Sequence, residues 1–214
     1  MACIAKSFRS GGTPRLYRLV PRYSCRMAVR PIRITGDPVL HFPATPVTEF
    51  GAELGALVAD MVETMHAAPG VGLAAPQVGV PLRLFVYDWT DDEDNRMHGV
   101  AINPELWISP VPAGEADEEA ESEGCLSVPG ERFPLRRAPL AVLRAVDASN
   151  TPFEIRADGW LARILQHEYD HLDGVLYVDR LEHVHAKAAA KAIRKNGWGA
   201  AGQSWLPGVD ELEG

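Results

Sequence analysis

The apolar positions of the chain fall into three helical periods separated by alternating or irregular runs. Leu54, Leu57, Val58, Met61, Val62 and Met65 recur every three or four residues and predict an amphipathic helix on a core, with Thr48 as candidate N-cap and Pro69-Gly70 as stop. A second period covers Trp160 to His171, with Leu161, Ile164, Leu165 and Leu172 on its apolar face and Gly174 beyond its end. Residues 181–195, LEHVHAKAAAKAIRK, are rich in helix-forming Ala and Lys and predict a third helix. Between the first two lie strand-like runs at 83–89, 99–106 and 107–110, then a pair at 139–147 and 152–156 around a turn at Ser149-Asn150. Residues 29–47 are Pro-rich and extended, and 175–177 predict a last short strand. Helices at both ends of a set of strands, without β–α alternation, predict an α+β fold. Short mixed or antiparallel sheets would surround the central second helix, with an N-terminal and a C-terminal helix beside them.

Length and charge refine this into one domain with tails. The chain has 214 residues, 46% of them hydrophobic, and no apolar run approaches the roughly 18 residues of a membrane span. Six of the 21 basic residues and none of the 29 acidic ones lie in residues 1–26, leaving a formal charge of −14 on the rest. So acidic a body argues against DNA as a specific partner. The Arg-rich, acid-poor start suits either a transit peptide or sequence upstream of a true start at Met27; the latter is favoured, because MAVRPIRITGDPVL reads as a clean beginning. The expected division is an extension at 1–26, a folded body at 27–197 and a loosely attached tail at 198–214. The acidic run 113–123 is expected to be solvated surface. Three cysteines are too few for a disulfide framework and fit a reducing compartment.

The second helix carries the chemistry. His167-Glu168-Tyr169-Asp170-His171 has the HExxH pattern. Residues four apart share a helix face, so the two imidazoles can grip one ion while Glu168 stays free to move protons. Catalytic sites of this kind usually have a third protein ligand. The class that places a histidine six residues on has Tyr177 there instead, and the only downstream glutamates are Glu182, Glu211 and Glu213. The third ligand is therefore expected upstream. Cys125, in EGCLSVPG (123–130), is the best candidate, although a lone cysteine is also often just a small buried apolar side chain.

GVGLAAPQVG (70–79), EGCLSVPG and QHEYDHLDG (166–174), in this order, resemble the three signature motifs of the peptide deformylases, and the similarity runs from about Met27 to Pro207. IRITGDPVL and GWGAAGQSWLPG resemble the actinobacterial branch. The resemblance implies that residues 27–197 are a catalytic domain that removes the formyl group from N-formylmethionyl nascent peptides. It implies one divalent metal held by Cys125, His167 and His171, with Fe(2+) native and Zn(2+), Ni(2+) or Co(2+) accepted. A metal makes a nucleophile of its water near neutral pH, and Glu168 is placed to take the proton and return it to the departing amine. By the same resemblance Leu126 N–H and the Gln77 amide stabilise the oxyanion. Val71, Gly72 and Ile164 border the methionine pocket, and Glu123 pairs with a buried Arg137. Lys187, Lys191, Arg194 and Lys195 on the last helix are candidates for docking on the ribosome. The expected protein is a cytoplasmic monomer, organellar if 1–26 is a transit peptide. The rival readings are an HExxH zinc peptidase and a non-catalytic metal-binding protein of the ribosome.

Overall fold

The computed structural model describes residues 28–210 and 212, so the expectations for 1–26 lie outside the described residues. The elements in order are β1 (Ile32–Arg33), α1 (Ala52–Ala67), β2 (Gly72–Ala74), β3 (Leu84–Thr90), β4 (Arg96–Ile108), β5 (Ser122–Cys125), β6 (Val128–Pro134), β7 (Leu140–Val146), β8 (Pro152–Asp158), α2 (Gly159–Leu172), α3 (His183–Lys195) and β9 (Ser204–Trp205). Strands β2-β3-β4-β7-β8 form an antiparallel sheet, β5 and β6 a separate hairpin, and β1 pairs with β9. The fold is α+β, as the periodicities predict.

The main sheet lies between two helices. Leu84 and Val86 of β3 join the α1 side chains Leu54, Leu57, Met61 and Met65, while Phe85 and Tyr87 join Ala162, Ile164 and Leu165 of α2. A strand buried on both faces reads as a continuous apolar run, which is why LFVYDW is so legible. Strands β7 and β8 alternate instead: Ala141, Leu143, Ala145, Ile155 and Ala157 turn toward α2. The helix that carries HExxH is thus clamped against the sheet along its length.

Several expectations need correction. Helix α1 starts after Gly51, which is extended and has no side-chain cap, rather than after Thr48; Phe50 first packs on the core, holding the chain out of the helix. The two strands expected over 99–110 are one strand, β4, with a bulge between Ile102 and Glu105. There Asn103 takes φ +49, and its side-chain amide exchanges two hydrogen bonds with the backbone of Val47, both 2.8 Å, which fixes the bulge and accommodates Pro104. The expected strand 175–177 is absent; Tyr177–Arg180 is a helical turn capped by Asp179, whose carboxylate accepts from Leu176 N–H at 2.9 Å. Leu181 and Glu182 precede α3 in extended conformation. The residues after Gly197 are not loose where described. Trp205 is 1% exposed, pairs through β9 with β1, and donates its indole N–H to the Leu126 carbonyl at 2.8 Å. Burial of one large aromatic anchors this segment although its Gly and Pro content reads as a free end.

Candidate metal centre

Helix α2 delivers His167 and His171 to one side, with ring centroids 4.9 Å apart. Gly174 ends the helix region at φ +75, and a Cβ there would meet the backbone of His41 and Phe42 at 2.8 Å, so only glycine fits. Strand β5 brings Cys125 to the same point: its Sγ lies 3.3 Å from Nε2 of His171, and the nearest donor atoms of Cys125, His167 and His171 all fall within 4.8 Å of one another. Ser127 N–H donates to that sulfur at 3.4 Å.

One buried thiol and two buried imidazoles suit a first-row divalent ion, since thiolate and imidazole both bind such metals well. The imidazoles are already differentiated. Burial works against charging His167, but Cys125 and Glu123 outweigh it and hold that ring well above the ordinary histidine range. Burial, with the positive charge of His167 and Arg137, drives His171 well below it. Nδ1 of His167 is 2.6 Å from a carboxylate oxygen of Glu123, which leaves Nε2 as the nitrogen available to an ion. A carboxylate behind a ligating histidine fixes its ring and raises its basicity.

Glu123 belongs to hairpin β5–β6, whose first strand is only four residues long and begins inside the acidic run, which hides it in the sequence. The run expected to be solvated turns Glu123 inward, where it is 3% exposed and meets the buried Arg137 at 2.7 Å, the pair that the resemblance implies. Burial alone would raise its pKa; His167 and Arg137 outweigh that and hold the carboxyl well below the usual range. Arg137 also reaches Asp170 (2.5 Å), which Arg180 grips from the other side (2.6 Å). The inward roles of Arg163, Asp170 and Arg180 are not evident from the sequence. The available signal was charge at positions 163, 167 and 170 of a helix, three- and four-residue steps that align them along one side.

Glu168 is buried beside His167 on α2, and its Oε2 has no hydrogen-bond partner among the described residues. Burial chiefly, and Glu123 in addition, push its pKa up to about 7, against the pull of His167 and Arg137. Such a carboxyl is poised to gain or lose a proton near neutrality. Its wall is Gly72: a Cβ built there would fall on the Glu168 carboxylate. Gly72→Ala is therefore expected to displace that carboxylate and lower kcat by up to about 10²-fold, the scale of a misplacement near 1 Å. Steady-state kinetics check this, and an unchanged kcat would show that the carboxylate has room to yield.

Gln77, 2% exposed, is oriented by its own loop. Its Oε1 accepts from Ala74 N–H at 2.8 Å, which turns its NH2 toward Ser127 Oγ (3.2 Å) and Cys125 Sγ (3.7 Å). Leu126 follows Cys125 in the hairpin turn, its carbonyl held by Trp205. A cleft of about 450 Å³ opens over these groups, bordered by Val71, Gly72, Ile164, Trp89 and Trp160. Val71 is 40% exposed and stands at the rim, whereas Ile164, 4% exposed, lies deep.

Residues 29–187 match the family described as Polypeptide deformylase. The chain is 52% identical over 189 residues to the peptide deformylase of Rhodococcus opacus, covering 86% of this chain and 96% of that protein. It is also 52% identical to that of Mycobacterium marinum, covering 85% and 96%. Among solved structures it resembles a peptide deformylase from Legionella pneumophila, with TM-score 0.67, 40% identity, and 79% and 96% of the two chains covered. It also resembles the Ehrlichia chaffeensis peptide deformylase in complex with actinonin, with TM-score 0.69, 33% identity, and 79% and 98% covered.

Proposed function

The chain belongs to the polypeptide deformylase family, metal-dependent hydrolases that remove the formyl group from nascent peptides, and from that premise we propose how its own residues divide the work. Cys125, His167 and His171 hold the ion, and the observation that carries this is their convergence within 4.8 Å. A divalent ion held there would supply Lewis acidity, lowering the pKa of a water at the site. Glu168 takes the proton of the attacking water at its unpartnered oxygen and passes it to the amine as the C–N bond breaks, releasing formate. The Gln77 NH2, aimed into the site by Ala74, and Leu126 N–H donate to the oxyanion; one such donor is typically worth about 2.7–4 kcal/mol. Val71, Gly72 and Ile164 receive the methionine side chain and leave the peptide backbone room along the cleft.

An upstream cysteine as third ligand separates this reading from the HExxH peptidase alternative, and a buried, partnerless Glu168 separates it from a purely structural metal protein. Incubation with formyl-Met-Ala and acetyl-Met-Ala tests it. Formate is expected from the first, with both peptide bonds intact; dipeptide cleavage, or no formate from the metal-loaded protein, overturns the reading.

Fe(2+) is the native ion in this proposal, with Zn(2+), Ni(2+) or Co(2+) able to replace it, in a cytoplasmic monomer. No helix of the described residues is long and apolar enough to cross a membrane. Lys187, Lys191, Arg194 and Lys195 are all exposed on α3 and form the basic face that would meet ribosomal RNA. Lys187→Glu with Lys191→Glu is expected to abolish salt-sensitive pelleting with ribosomes; undiminished pelleting would remove α3 from that role.

A further inference from the structure

Behind the ligands, seven charged side chains alternate in sign. Arg136 pairs with Glu121 (2.7 Å), Glu121 with Arg163 (3.4 Å), Arg163 with Glu123 (3.0 Å), Glu123 with Arg137 (2.7 Å), Arg137 with Asp170 (2.5 Å) and Asp170 with Arg180 (2.6 Å). The row ends in more accessible arginines, while Arg163, Glu123, Arg137 and Asp170 are buried.

Arg163 stands out in this row. It lies on α2 one turn before His167, so both side chains leave the same side of one helix. Its guanidinium is fixed independently of Glu123: Nη1 donates to the Leu135 carbonyl at 2.6 Å, and the group lies over the Trp160 ring at 5.2 Å. From this fixed position Nη1 also donates to Oε2 of Glu123. Arg137 Nε donates to the same oxygen (3.1 Å), while Oε1 meets Arg137 Nη2 (2.7 Å) and His167 Nδ1 (2.6 Å). With two partners on each oxygen, the carboxylate has no freedom to turn. Arg163 and Trp160 also border both the cleft and a smaller cavity of about 260 Å³. A shorter side chain at 163 would let water through to Glu123.

We propose that Arg163 is a positioning residue for the metal centre: by anchoring Oε2 of Glu123, it sets the carboxylate plane through which Oε1 aims the His167 ring at the ion. This rests on Cys125, His167 and His171 being the ligands. Loss of Arg163 leaves a buried carboxylate oxygen short of one charged donor, so Glu123 turns and the His167 ring follows.

The test is release of bound cobalt to a chelator from wild type, Arg163→Met, Arg163→Lys and Glu121→Gln, with visible spectra of the loaded proteins. Arg163→Met is expected to release the ion about tenfold faster or more, the scale of lost outer partners of ligating histidines, and to shift the spectrum. Arg163→Lys, a single point charge that cannot reproduce the fork, falls in between. Glu121→Gln breaks ion pairs in the same row but leaves Glu123 anchored, and releases at the wild-type rate. Wild-type release and spectrum in a folded Arg163→Met, or equally fast release from Glu121→Gln, overturns the positioning role alone. A wild-type protein that takes up no cobalt overturns the ligand assignment, and this role with it. Should Arg163→Met not fold, Arg163→Lys decides: several-fold faster release supports the role, and a wild-type rate overturns it.

Discussion

Glu168→Gln is expected to lower kcat for formyl-Met-Ala by about 10²–10⁴-fold, the usual contribution of a positioned acid–base group, while the protein still binds one metal ion. The amide keeps the shape of the side chain and removes only its ability to carry the proton. The same substitution is expected to stabilise the metal-free protein at alkaline pH, and the sign follows from burial. The Glu168 pKa is raised from 4.5 to about 7 in the fold, chiefly because desolvation penalises the charged form. Below 4.5 the carboxyl is protonated folded or unfolded, and its titration costs the fold nothing. As pH rises from 4.5 toward 7 the unfolded chain gives up this proton before the folded one does, and stability is lost. Above that window the loss is complete, at about 3 kcal/mol given ~1.4 kcal/mol per unit. Urea unfolding of the metal-free proteins at pH 8 and pH 4 checks this. A variant no more stable than wild type at pH 8 would mean that the charge is relieved by something else, and a variant with full kcat would remove Glu168 from the reaction. A carboxylate kept where it destabilises the empty protein is the mark of a group retained for chemistry.

Cys125→Ala is expected to abolish activity by abolishing metal retention. Outer partners of ligands are worth about 10–100-fold in affinity, and the loss of a ligating thiolate should exceed that. Two histidines remain, without the negative charge that offsets part of the ion's. The measurement is metal per chain after dialysis, alongside formate release. One retained ion with wild-type kcat would make Cys125 a bystander in a buried turn. In wild type the ion must also displace protons, because the Cys125–His167 pair next to Glu123 holds His167 well above its ordinary range. Metal uptake is therefore expected to release protons and to weaken as pH falls. Calorimetric titration in buffers of different ionisation enthalpy reads both effects.

What the sequence determined by itself is what short-range geometry controls. Residues four apart on a helix must share a face, so HExxH fixed two nitrogen donors and a free carboxylate before any fold was known. Apolar period fixed α1 and α2, and the continuous apolar run of β3 announced a strand buried on both sides. The third ligand was only narrowed to Cys125 by the residues, and the family resemblance then pointed to it.

Of the charges that face inward, the resemblance implied only the Glu123–Arg137 pair; the tertiary structure decided the rest of the row. Glu121 and Glu123 stand in an acidic run that reads as solvated surface, because no local rule separates a carboxylate in water from one awaiting an arginine. Their partners Arg137 and Arg163 lie 14 and more residues away, and the match exists only once β5, β6 and α2 are packed together. Trp205 is the same case: a Gly- and Pro-rich end becomes part of the site because its indole N–H finds the carbonyl of Leu126, 79 residues earlier. Period and spacing are properties of one segment. Burial of a charge, and the partner that makes it tolerable, are properties of two segments brought together by the fold.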